Sequence, residues 1–183
     1  MIQTIATTTA RRYSRGRMDR RSAPARPGRR AGGAAGWMTG NAIEGRALLL
    51  YDGVCALCNG SVKFMMKRDK LDRFRYAPLQ SELGREMLAR FDIHAFPDGM
   101  VLVTDALTAV EHIYHRSDAI SESLRRLGAP WQMAGKLLAI VPHPLRDWSY
   151  GVVARYRYRL FGRYDTCPVP PPEQRNKLLG VYE

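Results

Sequence analysis

The 183-residue chain has only three cysteines, Cys55, Cys58 and Cys167. An odd, sparse set excludes the even, dense pattern of a small secreted domain stapled by disulfides. The four histidines (His94, His112, His115 and His143) show no metal-ligand spacing with the cysteines, so the spacing points to no metal and no cofactor. No stretch reaches the roughly 20 apolar residues of a membrane-spanning helix. The late apolar run from Leu137 to Val141 stops at Pro142. Acid is nearly absent from residues 1–37, which hold nine arginines, no lysine and a single aspartate, Asp19. Arg11-Arg12 leads into further arginine and polar residues rather than an apolar segment, which argues against a secretory signal.

That imbalance explains most of the formal net charge of +12, because residues 1–37 alone contribute +8. The body is only mildly basic, so charge does not imply a specific nucleic-acid partner. Residues 1–46 lack a periodic apolar pattern and read as a disordered basic N-terminal tail. Three accounts of it stand: an organellar transit-like segment, a basic arm for polyanions, or an upstream start with Met38 as the true beginning. Residues 47–183 have the length and apolar content for one folded domain.

From residue 47 the pattern is regular. Ala47 to Tyr51 reads as a buried strand bounded by Gly45 and Asp52-Gly53. The next segment is helical, with Cys58, Val62, Met65 and Met66 forming a core-facing stripe and basic residues elsewhere. Phe74 to Ala77 is a second strand ended by Pro78. Ser81 caps a helix running to Phe91, with Gly84 an awkward interior residue. Met100 to Thr104 and Ala109 to Tyr114 form a hairpin. Ser117 caps a helix from Asp118 to Leu127, and another spans Trp131 to Ile140. Leu145, Trp148, Val152, Tyr156 and Leu160 have helical spacing and read as the core stripe of a last helix ending near Phe161-Gly162. The Pro-rich segment around Cys167 reads as irregular but packed. The order β-α-β-α-β-β-α with added helices predicts an α/β, thioredoxin-like domain with a C-terminal helical extension.

The chemistry centres on Cys55-Ala56-Leu57-Cys58 at the junction of the first strand and first helix. Two buried cysteines in a helix are the bland alternative, and Cys58 alone fits it. Cys55 does not, because it follows Asp-Gly-Val at the helix start, an open first turn where N–H groups and the helix dipole stabilise a thiolate. Cys55 is thus expected to be the exposed nucleophile and Cys58 the buried resolving thiol of a dithiol–disulfide exchange. Asp52 has two candidate roles: capping the helix, or accepting the Cys58 proton during resolution. Cys167 is open between a third redox thiol, a structural thiol and a metal ligand. A thiolate metal-binding or carrier protein remains the alternative function. Pro97 lies near the place where thioredoxin-like folds put a cis-proline, but an ordinary turn proline in Pro97-Asp98-Gly99 is the favoured reading. Along the Arg155-to-Arg159 segment arginine alternates with tyrosine around the helix, which favours a solvated basic face or an anchor over nucleic-acid binding. Trp148, Tyr150 and nearby arginines carry a weak membrane-surface signal.

Several separated segments agree in order with one family. They are Asp52-Gly53-Val54-Cys55-Ala56-Leu57-Cys58-Asn59-Gly60, Val62-Lys63-Phe64, Arg68-Asp69, and Phe74 through Ser81. They continue with Met100 to Val103, Arg155 through Gly162, and Cys167-Pro168. Over about residues 47–170 the chain resembles the DCC-type thiol-disulfide oxidoreductase family. The resemblance implies a thioredoxin-like fold and redox activity without defining a substrate. The expected partners are a disulfide-containing protein or small-molecule thiol substrate and a cellular thiol reductant. The expected location is cytoplasmic, with organellar import left open by the Arg-rich N-terminus.

Overall fold

In the computed structural model, residues 43–94, 97–168 and 171–180 are described. The elements run β1 (Ala47–Tyr51), α1 (Ala56–Arg68), β2 (Phe74–Pro78), α2 (Glu82–Arg90), β3 (Val101–Thr104) and β4 (His112–His115). They continue with α3 (Arg116–Arg126), α4 (Trp131–Ile140), α5 (His143–Phe161) and a 3-10 turn at Pro172–Lys177. The sheet order is β2-β1-β3-β4, with β1 parallel to β2 and antiparallel to β3, and β3 antiparallel to β4. This is a thioredoxin-like α/β domain with C-terminal helices. The expected basic tail falls mostly on residues 1–42, outside the described residues; residues 43–46 lead into β1, with Ile43 buried and the Gly45 N–H donating to the Ala106 carbonyl.

The central strand β1 is apolar and buried on both faces because helices cover both sides of the sheet. Alternation along β1 sends Ala47, Leu49 and Tyr51 toward one core, shared with the α1 stripe of Cys58, Val62, Met65 and Met66 and with Ala119 of α3. Leu48 and Leu50 face the other core, built with Leu83, Met87 and Leu88 of α2. The α1 stripe read from periodicity is the buried face.

Local signals set several boundaries. Ser81 caps α2, accepting the Gly84 N–H at 3.0 Å while donating to the Pro78 carbonyl at 2.7 Å. Gly84 is required by close approach: a Cβ there would lie 2.3 Å from the Pro78 oxygen. The strand β4 begins at His112 rather than Ala109, because Glu111 turns inward to accept the Leu107 N–H and the Arg90 guanidinium.

Two expectations are corrected. Ser117 does not cap α3, which starts at Arg116 after His115. The Ser117 hydroxyl instead donates to Asp147 and accepts from Arg146 Nε, so a tertiary demand from α5 outcompetes the local cap. In α5 the buried residues are Arg146 and Arg157, while Leu145, Trp148, Val152, Tyr156 and Leu160 are all exposed. The helix sits with its expected core stripe outward. Arg146 meets Ser117, Asp118 and the Leu138 carbonyl, and Arg157 meets Asp52 and the Asp98 carbonyl. Those acceptors draw the arginines in.

Past α5 the chain returns to the β2 edge, where Leu179 donates its N–H to the Tyr76 carbonyl at 2.8 Å and Leu178 is buried. Lys177 holds the turn down by donating to the Asp69 carbonyl and carboxylate. The Phe96–Pro97 bond lies outside the described residues; a cis bond occurs at Ala129–Pro130.

In an open helix, Gly→Ala stabilises by about 1 kcal/mol. Gly84→Ala is expected to do the reverse, lowering stability by about 2 kcal/mol in a denaturant titration, because the methyl group overlaps the Pro78 carbonyl.

Candidate active site

β1 delivers its last residue, Tyr51, into the core, and the chain turns immediately through Asp52-Gly53-Val54 to Cys55. Asp52 is only 1% exposed, so its carboxylate needs partners inside the protein. One oxygen accepts the Val54 N–H at 3.3 Å and the Gln80 amide at 2.9 Å. The other accepts the Arg157 guanidinium at 3.1 Å and the Tyr158 hydroxyl. Burial pushes the Asp52 pKa up, but the Tyr158, Gln80, Arg157 and Val54 donors outweigh it and hold the carboxyl below its ordinary value.

The loop is fastened from other directions too. Gln80 also accepts the Gly53 N–H at 3.1 Å, and Asn59 donates its side-chain amide to the carbonyls of Gly53 and Cys55. Gly53 itself is a packing requirement: a Cβ there would sit 3.2 Å from both Cys167 Sγ and Pro78 Cβ. Cys167 therefore lies against the β1–α1 loop, and its sulfur is 3.6 Å from the Tyr51 hydroxyl. Burial raises the Cys167 pKa, partly offset by Tyr51 and reinforced by Asp52.

Cys55 is the N-cap of α1. Its Sγ accepts the Cys58 backbone N–H at 3.3 Å, one of the donors that a helix start leaves free. The helix-cap role considered for Asp52 thus belongs to Cys55. As a proton acceptor for Cys58, Asp52 is poorly suited: its oxygens receive four donors, none of them a cysteine, and its proton affinity is lowered. Cys58 is a thiol held protonated. Burial raises its pKa most, the adjoining Cys55 sulfur adds to this, and Arg157 opposes it. All three cysteines are free thiols here.

The expected exposure of Cys55 is corrected. Cys55 is 0% exposed and Cys58 5%. The cover is the segment after α5, which starts at the C-cap Gly162 (φ +87). The Gly162 carbonyl accepts the Ala56 N–H at 3.3 Å, Arg163 forms a β-bridge with Cys55, and Tyr164 donates its N–H to the Val54 carbonyl at 2.8 Å. A helix start is open only when no other segment takes its free donors, and here the C-terminal strap takes one. Cys58 instead borders an apolar cavity of about 300 Å³ lined in part by Leu57, Met100, Ile120, Tyr150 and Val153.

Sequence reasoning missed Gln80, Asn59, Arg157 and Tyr158 as site residues, although all four lie within the quoted motif segments. The available signal was chemical: an aspartate at the end of a buried strand needs a cation and donors from elsewhere in the chain. Among the described residues, no group of three or more His, Cys, Asp or Glu side chains could hold a metal ion. A metal-carrier reading would rest on the two thiolates.

A family model described as DCC1-like thiol-disulfide oxidoreductase matches residues 49–163. The chain is 36% identical over 143 residues to an uncharacterized protein of Bacillus subtilis, YuxK, a match covering 78% of this chain and 99% of that protein. It is 36% identical over 122 residues to a chloroplastic DCC family protein of Arabidopsis thaliana, covering 67% of this chain and 69% of the relative. No solved structure matches the chain.

Asp52→Asn removes the anion but leaves Arg157 buried. The expected loss is about 3–5 kcal/mol of unfolding free energy, typical of a broken buried pair. Because the folded-state pKa of Asp52 is lowered, its ionised form contributes stability at and above the ordinary value of 3.8, and that contribution disappears as pH falls below 3.8 through the folded pKa. Denaturant titrations from neutral to acid pH should show this acid-side slope in the parent chain and a shallower one in Asp52→Asn. An unchanged slope would remove Asp52 as its source.

Proposed function

The chain belongs to the DCC1-like thiol-disulfide oxidoreductase family, and on that premise we propose that Cys55 and Cys58 exchange electrons with substrate disulfides. Cys55 attacks as the thiolate: its sulfur bonds to one substrate sulfur, the substrate S–S bond breaks, and the other substrate sulfur leaves as a thiolate that takes up a proton. Cys58 then attacks Cys55 Sγ, its proton passing to the second substrate sulfur as the mixed-disulfide bond breaks. The Cys55–Cys58 disulfide forms and the second substrate thiol is released. Two electrons and two protons have passed from the dithiol to the substrate, and a cellular thiol reductant reverses the oxidation.

The supporting observation is the asymmetry of the two sulfurs. Cys55 Sγ sits on an N–H that the helix start leaves free, whereas burial, and after it the adjoining Cys55 sulfur, raise the pKa of Cys58. Asp52 acts as a positioning residue that holds the loop and Arg157 together, not as the proton acceptor. The substrate approaches the Cys58 side of the pair, where the apolar cavity lies. Cys55 becomes fully accessible when the Gly162–Tyr164 strap lifts. The proposed setting is the cytoplasm; because the Arabidopsis relative is described as chloroplastic, an organellar setting stands beside it.

Alkylation with mass spectrometry across a series of thiol/disulfide buffers tests the reading. One Cys55–Cys58 disulfide should form and revert, and both thiols of the reduced native chain should label far more slowly than in the unfolded chain. Cys55→Ser should abolish reduction of a disulfide substrate, and Cys58→Ser should accumulate a mixed disulfide at Cys55. A pair that never oxidises reversibly, or a tightly held stoichiometric metal ion in reduced protein, would overturn it.

A further inference from the structure

The C-terminal helices leave large apolar side chains in water. On α4, Met133, Leu137 and Ile140 are exposed at i, i+4 and i+7, with Lys136 on the same face. The helix packs inward through Gly135, where a Cβ would lie 2.7 Å from Arg125 and from the Ser121 carbonyl of α3. On α5, Leu145, Trp148, Val152 and Tyr156 follow one stripe, and that stripe faces out because Arg146 and Arg157 occupy the opposite side. The two stripes meet at the Val141-Pro142 junction, where Ile140 is 76% and Leu145 55% exposed.

Charge narrows what can cover this surface. Arg155 and Arg159 lie at i+7 and i+11 from Trp148, so they share its face, and both are exposed. The acid on α4 and α5 is Asp147, already bonded to Ser117 and near His143. Two copies meeting through this face would bring Lys136, Arg155 and Arg159 against themselves. Residues 1–37 carry +8 and would be repelled as well. A surface that is apolar, Trp-bearing and basic fits a partner that offers hydrocarbon beneath negative charge.

We propose that the outward face of α4 and α5 docks on an anionic lipid bilayer, with the protein lying at the headgroup boundary. Trp148, Leu145, Leu137 and Ile140 enter the interface, and Lys136, Arg155 and Arg159 meet lipid phosphates. This is an interfacial mode, and among the described residues no helix is long and apolar enough to cross a membrane. Leu137, Ile140, Leu145 and Trp148 do not line the cavity beside Cys58, which takes the other side of α4 and α5, so docking leaves exchange with soluble disulfides unchanged.

The full chain is sedimented with phosphatidylcholine vesicles, with or without phosphatidylglycerol. Retention is expected on the mixed vesicles and weak on pure phosphatidylcholine. Ile140→Asp combined with Trp148→Asp should reduce retention at least about tenfold, without altering reduction of a soluble small disulfide. A vesicle-induced blue shift of tryptophan emission should diminish in Trp148→Phe, which keeps the site apolar. Absence of retention on phosphatidylglycerol vesicles overturns the proposal. Undiminished retention of the double variant also overturns it, assigning binding to the basic N-terminus. A concentration-dependent dimer that the double variant loses would assign the face to a second copy.

Discussion

Asp52 and Arg157 are 105 residues apart in the chain, yet their charged groups meet inside the protein at 3.1 Å. Removing two charges from water costs several kcal/mol each, and attraction offsets that only when the remaining lone pairs and N–H groups are also bonded. The surroundings meet most of that condition, leaving Arg157 Nε as the one nitrogen of its guanidinium buried without a partner among the described residues. Gln80, Val54 and Tyr158 complete the carboxylate, while the Asp98 and Ala154 carbonyls take another guanidinium nitrogen. The ion pair therefore draws together the β1–α1 loop, the β2–α2 loop, the approach to β3 and α5. Satisfying it sets the rotation of α5 about its own axis.

Two further arrangements follow from that rotation. With Arg157 pointing inward, Trp148, nine residues earlier, lies on the opposite side of the helix, so the apolar stripe faces solvent. The end of α5 is also brought to the start of α1, where Gly162, Arg163 and Tyr164 close over Cys55. One buried contact thus governs both the cover of the nucleophile and the exposure of the helical face. The thiol pair is tuned by the same neighbourhood: Arg157 lowers and Asp52 raises the Cys58 pKa, beneath the larger effects of burial and of Cys55.

Much of the fold was legible because its elements obey short-range rules. β1 and the α1 stripe agree with their apolar periodicity, Ser81 caps α2 as its position implies, and α4 spans Trp131–Ile140 as expected. At the site, the thiol spacing and the strand-to-helix junction were legible, and so was the importance of Asp52. The partners of Asp52 were not. Periodicity assumes that apolar residues face inward, and it fails in α5, where two arginines find buried acceptors while all five residues of the expected core stripe remain exposed. The rule for Ser117 failed for a related reason: its hydroxyl serves Arg146 and Asp147 across the helix interface instead of its own backbone.

The amino-acid sequence by itself determined the succession of strands and helices along the chain, the α1 core face and a pair of cysteines straddling a helix start. Each of these depends on residues within a few positions, where backbone geometry makes neighbours predictable. Only the tertiary structure decided that Cys55 is covered, that Asp52 holds Arg157 rather than capping α1, and that α5 turns its apolar stripe outward. Those outcomes depend on which distant groups satisfy a buried charge, and no local pattern encodes that choice.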